Sequence, residues 1–128
     1  MSYSLDSWAV LEWLSDVEPA ASRVEEVLQQ RPLMSWINLG EVFYVVARRR
    51  GERAAGEVLA QLRPQLSLDL PSRQRILQAA RIKAAYPVAY ADAFAVATAI
   101  ARNTVLLTGD DEILTADTNW PTQDVRRP

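Results

Sequence analysis

The sequence of 128 residues contains neither cysteine nor histidine. The lack of cysteine excludes disulfides, thiolate zinc sites, iron–sulfur clusters and cysteine nucleophiles. The lack of histidine excludes Ser-His-Asp hydrolysis, imidazole general bases and imidazole-ligated metals. Any catalysis therefore depends on carboxylates, hydroxyls, arginine, the single lysine Lys83, or a metal held by oxygen ligands.

Two further features are missing: a long apolar run and an excess of positive charge. No segment approaches the ~18–20 apolar residues of a membrane helix, and residues 1–6 carry no positive signal-peptide region. We therefore expect a cytoplasmic protein with no membrane partner. The net charge of −2 is not typical of a protein that binds nucleic acid through bulk charge, although 13 of its 14 basic residues are arginine.

The length and the 49% content of hydrophobic residues predict a single domain over residues 1–128. Strand-like apolar segments lie at residues 3–5, 33–36, 66–70 and 105–107, with an edge strand expected at Val125. Segments with helical spacing lie at residues 7–14, 20–28, 38–50, 52–63, 71–85, 91–102 and 111–114. This alternation predicts an α/β fold, a three-layer α/β/α sandwich with a mostly parallel central sheet.

Four carboxylates occur where these segments change type. Asp6 and Asp110 follow the first and last apolar strands, and Glu41 and Asp92 lie in the first turns of two helices. Each also has a purely structural interpretation, since Asp6 and Asp110 suit N-caps, Asn38 and Glu41 match a capping box, and Asp92 suits the helix dipole. The carboxyl ends of parallel strands meet at one edge, however, so we expect these acids to converge.

Converging carboxylates repel one another, and this repulsion indicates what the site binds. Two like charges ~5 Å apart at an effective dielectric of ~20 cost about 3 kcal/mol. A fold tolerates such a cluster when a cation binds it or when some carboxyls are protonated. Oxygen ligands without histidine or cysteine suit a hard cation such as Mg²⁺ or Mn²⁺.

The order of these motifs resembles the PIN domain, and most closely the VapC ribonuclease toxins of bacterial type II toxin–antitoxin pairs. The resemblance covers nearly the whole chain. The motifs that carry it are Leu5-Asp6-Ser7, Asn38-x-x-Glu41, Ala91-Asp92-Ala93 and Leu107-Thr108-Gly109-Asp110, together with Ile82-Lys83-Ala84-Ala85-Tyr86. The resemblance implies a Mg²⁺- or Mn²⁺-dependent endoribonuclease that hydrolyses RNA phosphodiester bonds.

The resemblance also implies roles for individual residues. Asp6, Glu41, Asp92 and Asp110 would form the catalytic site, with Asp6, Asp92 and Asp110 as metal ligands and either Asp92 or Asp110 as the proton acceptor. Ser7 and Thr108 would steady the carboxylates or a water, unless they serve only as a helix cap and a turn residue. Asn38 would orient Glu41.

Three positions depart from the family's usual pattern. Ser4 is polar where the first strand is usually apolar, and Ala89 stands where a Ser or Thr commonly caps the helix of the third acid. Asp111 stands where Pro is frequent, and we favour a solvated charge there over a fifth acid of the site. None of these departures removes an acid.

RNA contacts must come from local positive charge, because the net charge is negative. The dense basic run consists of Arg48, Arg49, Arg50 and Arg53, which suit either RNA or a helix C-terminus. Three tryptophans could stack on bases, although core packing or a partner groove explains them better: Trp8, Trp13 and Trp36.

The resemblance implies further partners. One is a cognate VapB-type antitoxin, through which the chain would meet DNA only indirectly. Another is a second copy in a homodimer, for which Trp13, Phe43 and Tyr44 are candidate interface residues unless they lie in the core.

Other functions remain as alternatives. The main one is a catalytically weak PIN-like scaffold that binds RNA or protein. A phosphotransfer receiver needs adjacent acids after the first strand, and a phosphatase needs Asp-x-Asp; Asp6-Ser7-Trp8 provides neither.

Overall fold

A five-stranded parallel sheet forms the centre of the protein in a computed structural model, which describes residues 1–117 and 119–128. Its strands are β1 (Tyr3–Leu5), β2 (Leu33–Ser35), β3 (Ser67–Asp69), β4 (Val105–Thr108) and β5 (Thr122–Asp124). Their spatial order is β3-β2-β1-β4-β5, and every neighbouring pair is parallel. The predicted α/β fold with a mostly parallel sheet is confirmed.

In the part of the chain that the structure describes, seven α-helices connect and cover the strands. They are α1 (Ser7–Leu14), α2 (Ala20–Leu28), α3 (Trp36–Arg50), α4 (Glu52–Leu62), α5 (Arg73–Ala85), α6 (Tyr90–Arg102) and α7 (Asp111–Ala116), with a short 3-10 helix at Arg63–Gln65. Among the described residues no single helix is both long and apolar enough to span a membrane, and α5 and α6 pass that test only as a pair bent by 120°.

The sheet separates two apolar cores, as the predicted sandwich requires. Side chains of α1 to α4 pack on one face together with Leu107, whereas those of α5 and α6 pack on the other together with Leu106. Successive residues of β4 therefore point to opposite faces. Helices cover both faces of the sheet, so the strand ends remain uncovered. In such sheets ligands bind at the carboxyl ends of the strands.

Several element boundaries differ from those expected. Helix α3 begins at Trp36, because Ser35 accepts a hydrogen bond from the Ile37 amide and acts as the N-cap; Asn38 already lies inside the helix. The last strand ends at Asp124, one residue before the expected Val125. Polar Ser4 is tolerated in β1 because its buried hydroxyl accepts a hydrogen bond of 2.9 Å from Thr104.

Candidate functional site

Asp6 lies at the carboxyl end of β1, fully buried at the start of α1. One carboxylate oxygen, Oδ1, accepts a hydrogen bond of 2.8 Å from the Ala9 amide, as an N-cap does. The other, Oδ2, accepts a hydrogen bond from the Thr108 hydroxyl at the end of the neighbouring strand β4. The structural interpretation of Asp6 as an N-cap therefore applies, and capping fixes the carboxylate in place.

Thr108 connects Asp6 to Asp110. The Asp110 amide donates to the Thr108 hydroxyl oxygen at 3.0 Å while that hydroxyl donates to Asp6. Asp110 then caps α7 by accepting from the amides of Glu112 and Ile113 at 2.9 and 3.4 Å. The hydroxyl predicted to lie beside the acids thus joins the two of them.

Glu41 faces the site from the second turn of α3. Its Oε1 accepts a hydrogen bond from the Ser7 hydroxyl, and its Oε2 lies 3.4 Å from the Tyr44 hydroxyl, which donates to it. The capping-box interpretation does not apply, because Ser35 caps this helix. The hydroxyl of Ser7, placed beside the acids by sequence resemblance, does lie there.

Asp92 lies in the first turn of α6 and is 8% exposed. No side chain caps this helix at Ala89, as the departure at that position indicated. Asn38 instead ties the turn to α3, because its side-chain amide donates to the Ala91 carbonyl at 2.9 Å. Asn38 therefore hydrogen-bonds to the helix of Asp92, and its expected role in orienting Glu41 stays a prediction.

Glu112 is the acid that the sequence analysis missed. Oxygens of Asp92, Asp110 and Glu112 all lie within 4.8 Å of one another, close enough to share one cation. The spacing Asp110-x-Glu112 is the signal that could have found it, since both residues fall at the N-terminus of α7. Carboxylate oxygens alone fit a hard cation such as Mg²⁺ or Mn²⁺.

The neighbouring carboxylates shift the pKa values of two of the acids. Burial, assisted by the charges of Asp110 and Glu41, raises the pKa of Asp6 to about 7 against the lowering effect of its hydrogen bonds with Thr108 and Ala9. Burial also raises the pKa of Asp92 to about 8, assisted by the charges of Asp110, Asp6, Glu41 and Glu112. The predicted convergence of the four acids is therefore present, with Glu112 added.

Gly109, which directly precedes Asp110, lies against the side chain of Trp8. A Cβ atom built on Gly109 would lie 2.2 Å from the nearest atom of the Trp8 indole, so only glycine fits there. Trp8 is half-buried and packs against the core on the α1–α4 side. The indole therefore forms a wall beside the loop that carries Asp110.

The remaining predicted residues lie outside the acid cluster. Arg48, Arg49, Arg50 and Arg53 are exposed at the end of α3 and the start of α4. Asp111 is exposed and pairs with Arg126 at 3.2 Å, which agrees with a solvated charge. Trp13, Trp36 and Phe43 pack partly against the core, whereas Tyr44 is 45% exposed.

One known protein family matches most of this chain. The profile of the PIN domain matches residues 3–119. A search of curated protein sequences finds no match.

Solved structures of VapBC proteins share the fold. Mycobacterium tuberculosis VapC20, described as a Sarcin-Ricin loop cleaving toxin, is 18% identical over 99% of this chain and 100% of that one, with a TM-score of 0.77. A chain of VapBC-1 from nontypeable Haemophilus influenzae is 22% identical over 99% and 100%, with a TM-score of 0.74. A chain of Rickettsia felis VapBC2, solved with a promoter DNA fragment, is 18% identical over 96% and 98%, with a TM-score of 0.75.

Proposed function

The chain belongs to the PIN domain family, and on that premise we propose that it is a Mg²⁺- or Mn²⁺-dependent endoribonuclease, the toxin of a toxin–antitoxin pair. The observation that carries the proposal is the convergence of five carboxylates at the carboxyl edge of the sheet. Among the residues that the structure describes, no arginine or lysine forms an ion pair with any of the five. A cation is therefore the partner this cluster lacks.

Asp92, Asp110 and Glu112 would hold the cation, because their oxygens lie within reach of one centre. When bound, the cation would supply positive charge for the phosphodiester and a more acidic water. Asp6 would contribute negative charge from a fixed position, since both of its oxygens are already hydrogen-bonded. Ser7 would hold Glu41, and Asn38 would hold the first turn of α6, which carries Asp92.

The partners follow from the same family resemblance. Several structures of similar fold are VapBC complexes. A cognate VapB-type antitoxin is therefore the protein partner we propose, with DNA met only through it, in the cytoplasm. A homodimer is proposed as well.

The test is metal-dependent cleavage of labelled RNA of mixed sequence by the purified chain. We expect cleavage in Mn²⁺ or Mg²⁺ and none in EDTA. Asp6→Asn and Asp92→Asn should each reduce the rate at least ~100-fold, because each removes a charge that the reaction needs. Circular dichroism spectra of the two variants should match that of the parent chain.

Asp124→Asn is the matched control, because Asp124 also ends a strand of the sheet but pairs with Arg126. It should leave cleavage unchanged. Full cleavage by Asp6→Asn and Asp92→Asn would defeat the proposal. Calorimetry with Mn²⁺ separates the scaffold alternative, which predicts weak metal binding despite the intact acids.

A further inference from the structure

Three residues of α3 form an exposed row that starts at the acid cluster. Gly40, Tyr44 and Arg48 are four residues apart and all exposed, so they follow one another along one face of the helix. Glu41 lies beside the beginning of the row, and Arg48-Arg49-Arg50 forms its end. The row extends over two helical turns, or about 12 Å.

Tyr44 and Arg48 together place an aromatic ring and a positive charge side by side at the surface. Tyr44 is 45% exposed. The guanidinium carbon of Arg48 lies 5.0 Å from the centre of that ring. Aromatic rings and guanidinium planes are the groups on which proteins stack unpaired bases.

Gly40 has no role in packing that the fold explains. A Cβ atom at Gly40 would meet nothing within 4 Å, so alanine would fit there. Glycine inside a helix costs about 1 kcal/mol relative to alanine. What glycine provides at this exposed position is bare backbone, which another molecule can approach closely.

We infer that the row formed by Gly40, Tyr44 and Arg48 is the path by which single-stranded RNA leaves the acid site. The sugar–phosphate backbone passes over Gly40, an unpaired base stacks on Tyr44 and Arg48, and Arg48 binds a phosphate. This inference rests on the proposed function, because it names the substrate path of that same site. Duplex RNA does not fit this arrangement, since its bases are already stacked and paired.

A second protein chain could also cover an exposed tyrosine, but the charge of the row favours RNA. Three consecutive exposed arginines end it, Arg48, Arg49 and Arg50. Of these, Arg48 lies over the Tyr44 ring, so charge and aromatic surface coincide. A polyanion with exposed bases complements both.

Binding of a short fluorescein-labelled RNA, single-stranded or as a duplex, tests the path by anisotropy in Mn²⁺, with every variant made in the Asp6→Asn background so that cleavage is slow. Tyr44→Leu should weaken single-strand binding about 10-fold, because a stacked base is lost. Tyr44→Phe, which keeps the ring, should weaken it much less. Arg48→Ala should weaken binding and reduce the slope of log affinity against log salt by about 0.7, as expected when one phosphate contact is lost.

The glycines provide a control that separates binding from folding. Gly40→Ala should raise the melting temperature yet weaken RNA binding, because the added methyl group fills the path. Gly56→Ala lies in α4, where a Cβ also meets nothing within 4 Å. It should raise the melting temperature similarly and leave RNA binding unchanged.

The inference is overturned if Tyr44→Leu and Gly40→Ala bind single-stranded RNA as the parent chain does. It is also overturned if these variants change only the oligomeric state in sedimentation, which would make the row a protein interface. Binding lost in the row variants while no form of the chain cleaves RNA would refute the proposed function and support the path. Cleavage by the parent chain together with undiminished RNA binding in the row variants would support the proposed function and refute the path.

Discussion

Aspartates stand at the ends of both central and edge strands of the sheet, but their charge partners differ between the two regions. Asp6 and Asp110 follow the central strands β1 and β4, whereas Asp69 and Asp124 end the edge strands β3 and β5. In the described part of the chain the central acids have no arginine or lysine partner.

Both edge acids are neutralised by arginine. Asp69 accepts from Arg75 at 2.6 Å and pairs with Arg102 at 3.3 Å. Asp124 pairs with Arg126 at 2.9 Å, and this hydrogen-bonded pair lowers the pKa of Asp124 to about 2. At the ends of the two edge strands the chain therefore supplies a cation of its own. The central acids differ in this respect, in agreement with the cation proposed for them.

Replacement of an edge acid should cost the most stability. Asp69→Asn leaves Arg75 without its charge partner at a site where both side chains are 11% exposed. We expect the free energy of unfolding to fall by about 3 kcal/mol, measured by urea denaturation. Asp92→Asn, measured in EDTA, should raise it, because a buried and repelled charge is removed. Destabilisation of equal size in both variants would abolish the contrast between the two regions.

The pH dependence of the metal-free protein should show the same contrast. The folded-state pKa values of Asp6 and Asp92 are raised to about 7 and about 8. Between pH ~4 and ~8 the folded state therefore binds more protons than the unfolded state, and stability falls as pH rises. We expect the melting temperature in EDTA to fall by about 5–10 °C over this window.

Two changes should flatten the dependence of the melting temperature on pH. Mn²⁺ should do so by supplying the missing positive charge, and Asp6→Asn should do so in part without metal. A metal-free protein whose melting temperature rises from pH 5 to pH 8 would contradict the predicted repulsion.

The smallest effect is expected at the exposed pair on β5. Arg126→Ala should lower the melting temperature at neutral pH by less than about 3 °C, because an exposed ion pair is screened by water and salt. The lowered pKa of Asp124 means that the stability this pair contributes is present above pH ~4 and is lost as pH falls through about 2. The difference from the parent chain in thermal melts should therefore vanish in strong acid. A large fall in melting temperature at neutral pH would show that this pair stabilises the fold by more than a screened surface charge interaction.

The sequence predicted the sheet and the convergence of Asp6, Glu41, Asp92 and Asp110. The convergence of Asp6 and Asp110 follows from one rule, because these acids come after neighbouring central strands whose carboxyl ends lie side by side. Asp92 reaches the site from the first turn of α6, which follows a helix and no strand. The short apolar segments were enough to place those ends, even where strand boundaries differed by a residue or two.

What the sequence did not predict depends on tertiary contacts. Ser35 and Asn38 are equally good N-caps, so local preference could not choose between them; in the structure Ser35 caps α3 and Asn38 donates to the Ala91 carbonyl. Glu112 was missed because its role depends on the direction in which the first turn of α7 faces. Sequence spacing alone does not fix that direction.

The contact between Trp8 and Gly109 constrains how this protein can change over evolutionary time. No side chain larger than hydrogen fits at position 109 while the indole occupies its place. The effect of a substitution at one of these positions therefore depends on the residue at the other, and the sequence in which the two substitutions occur matters. Gly109 can change only if the Trp8 indole moves or a smaller residue replaces it, so relatives with alanine or serine at 109 should carry a smaller or differently placed residue at 8.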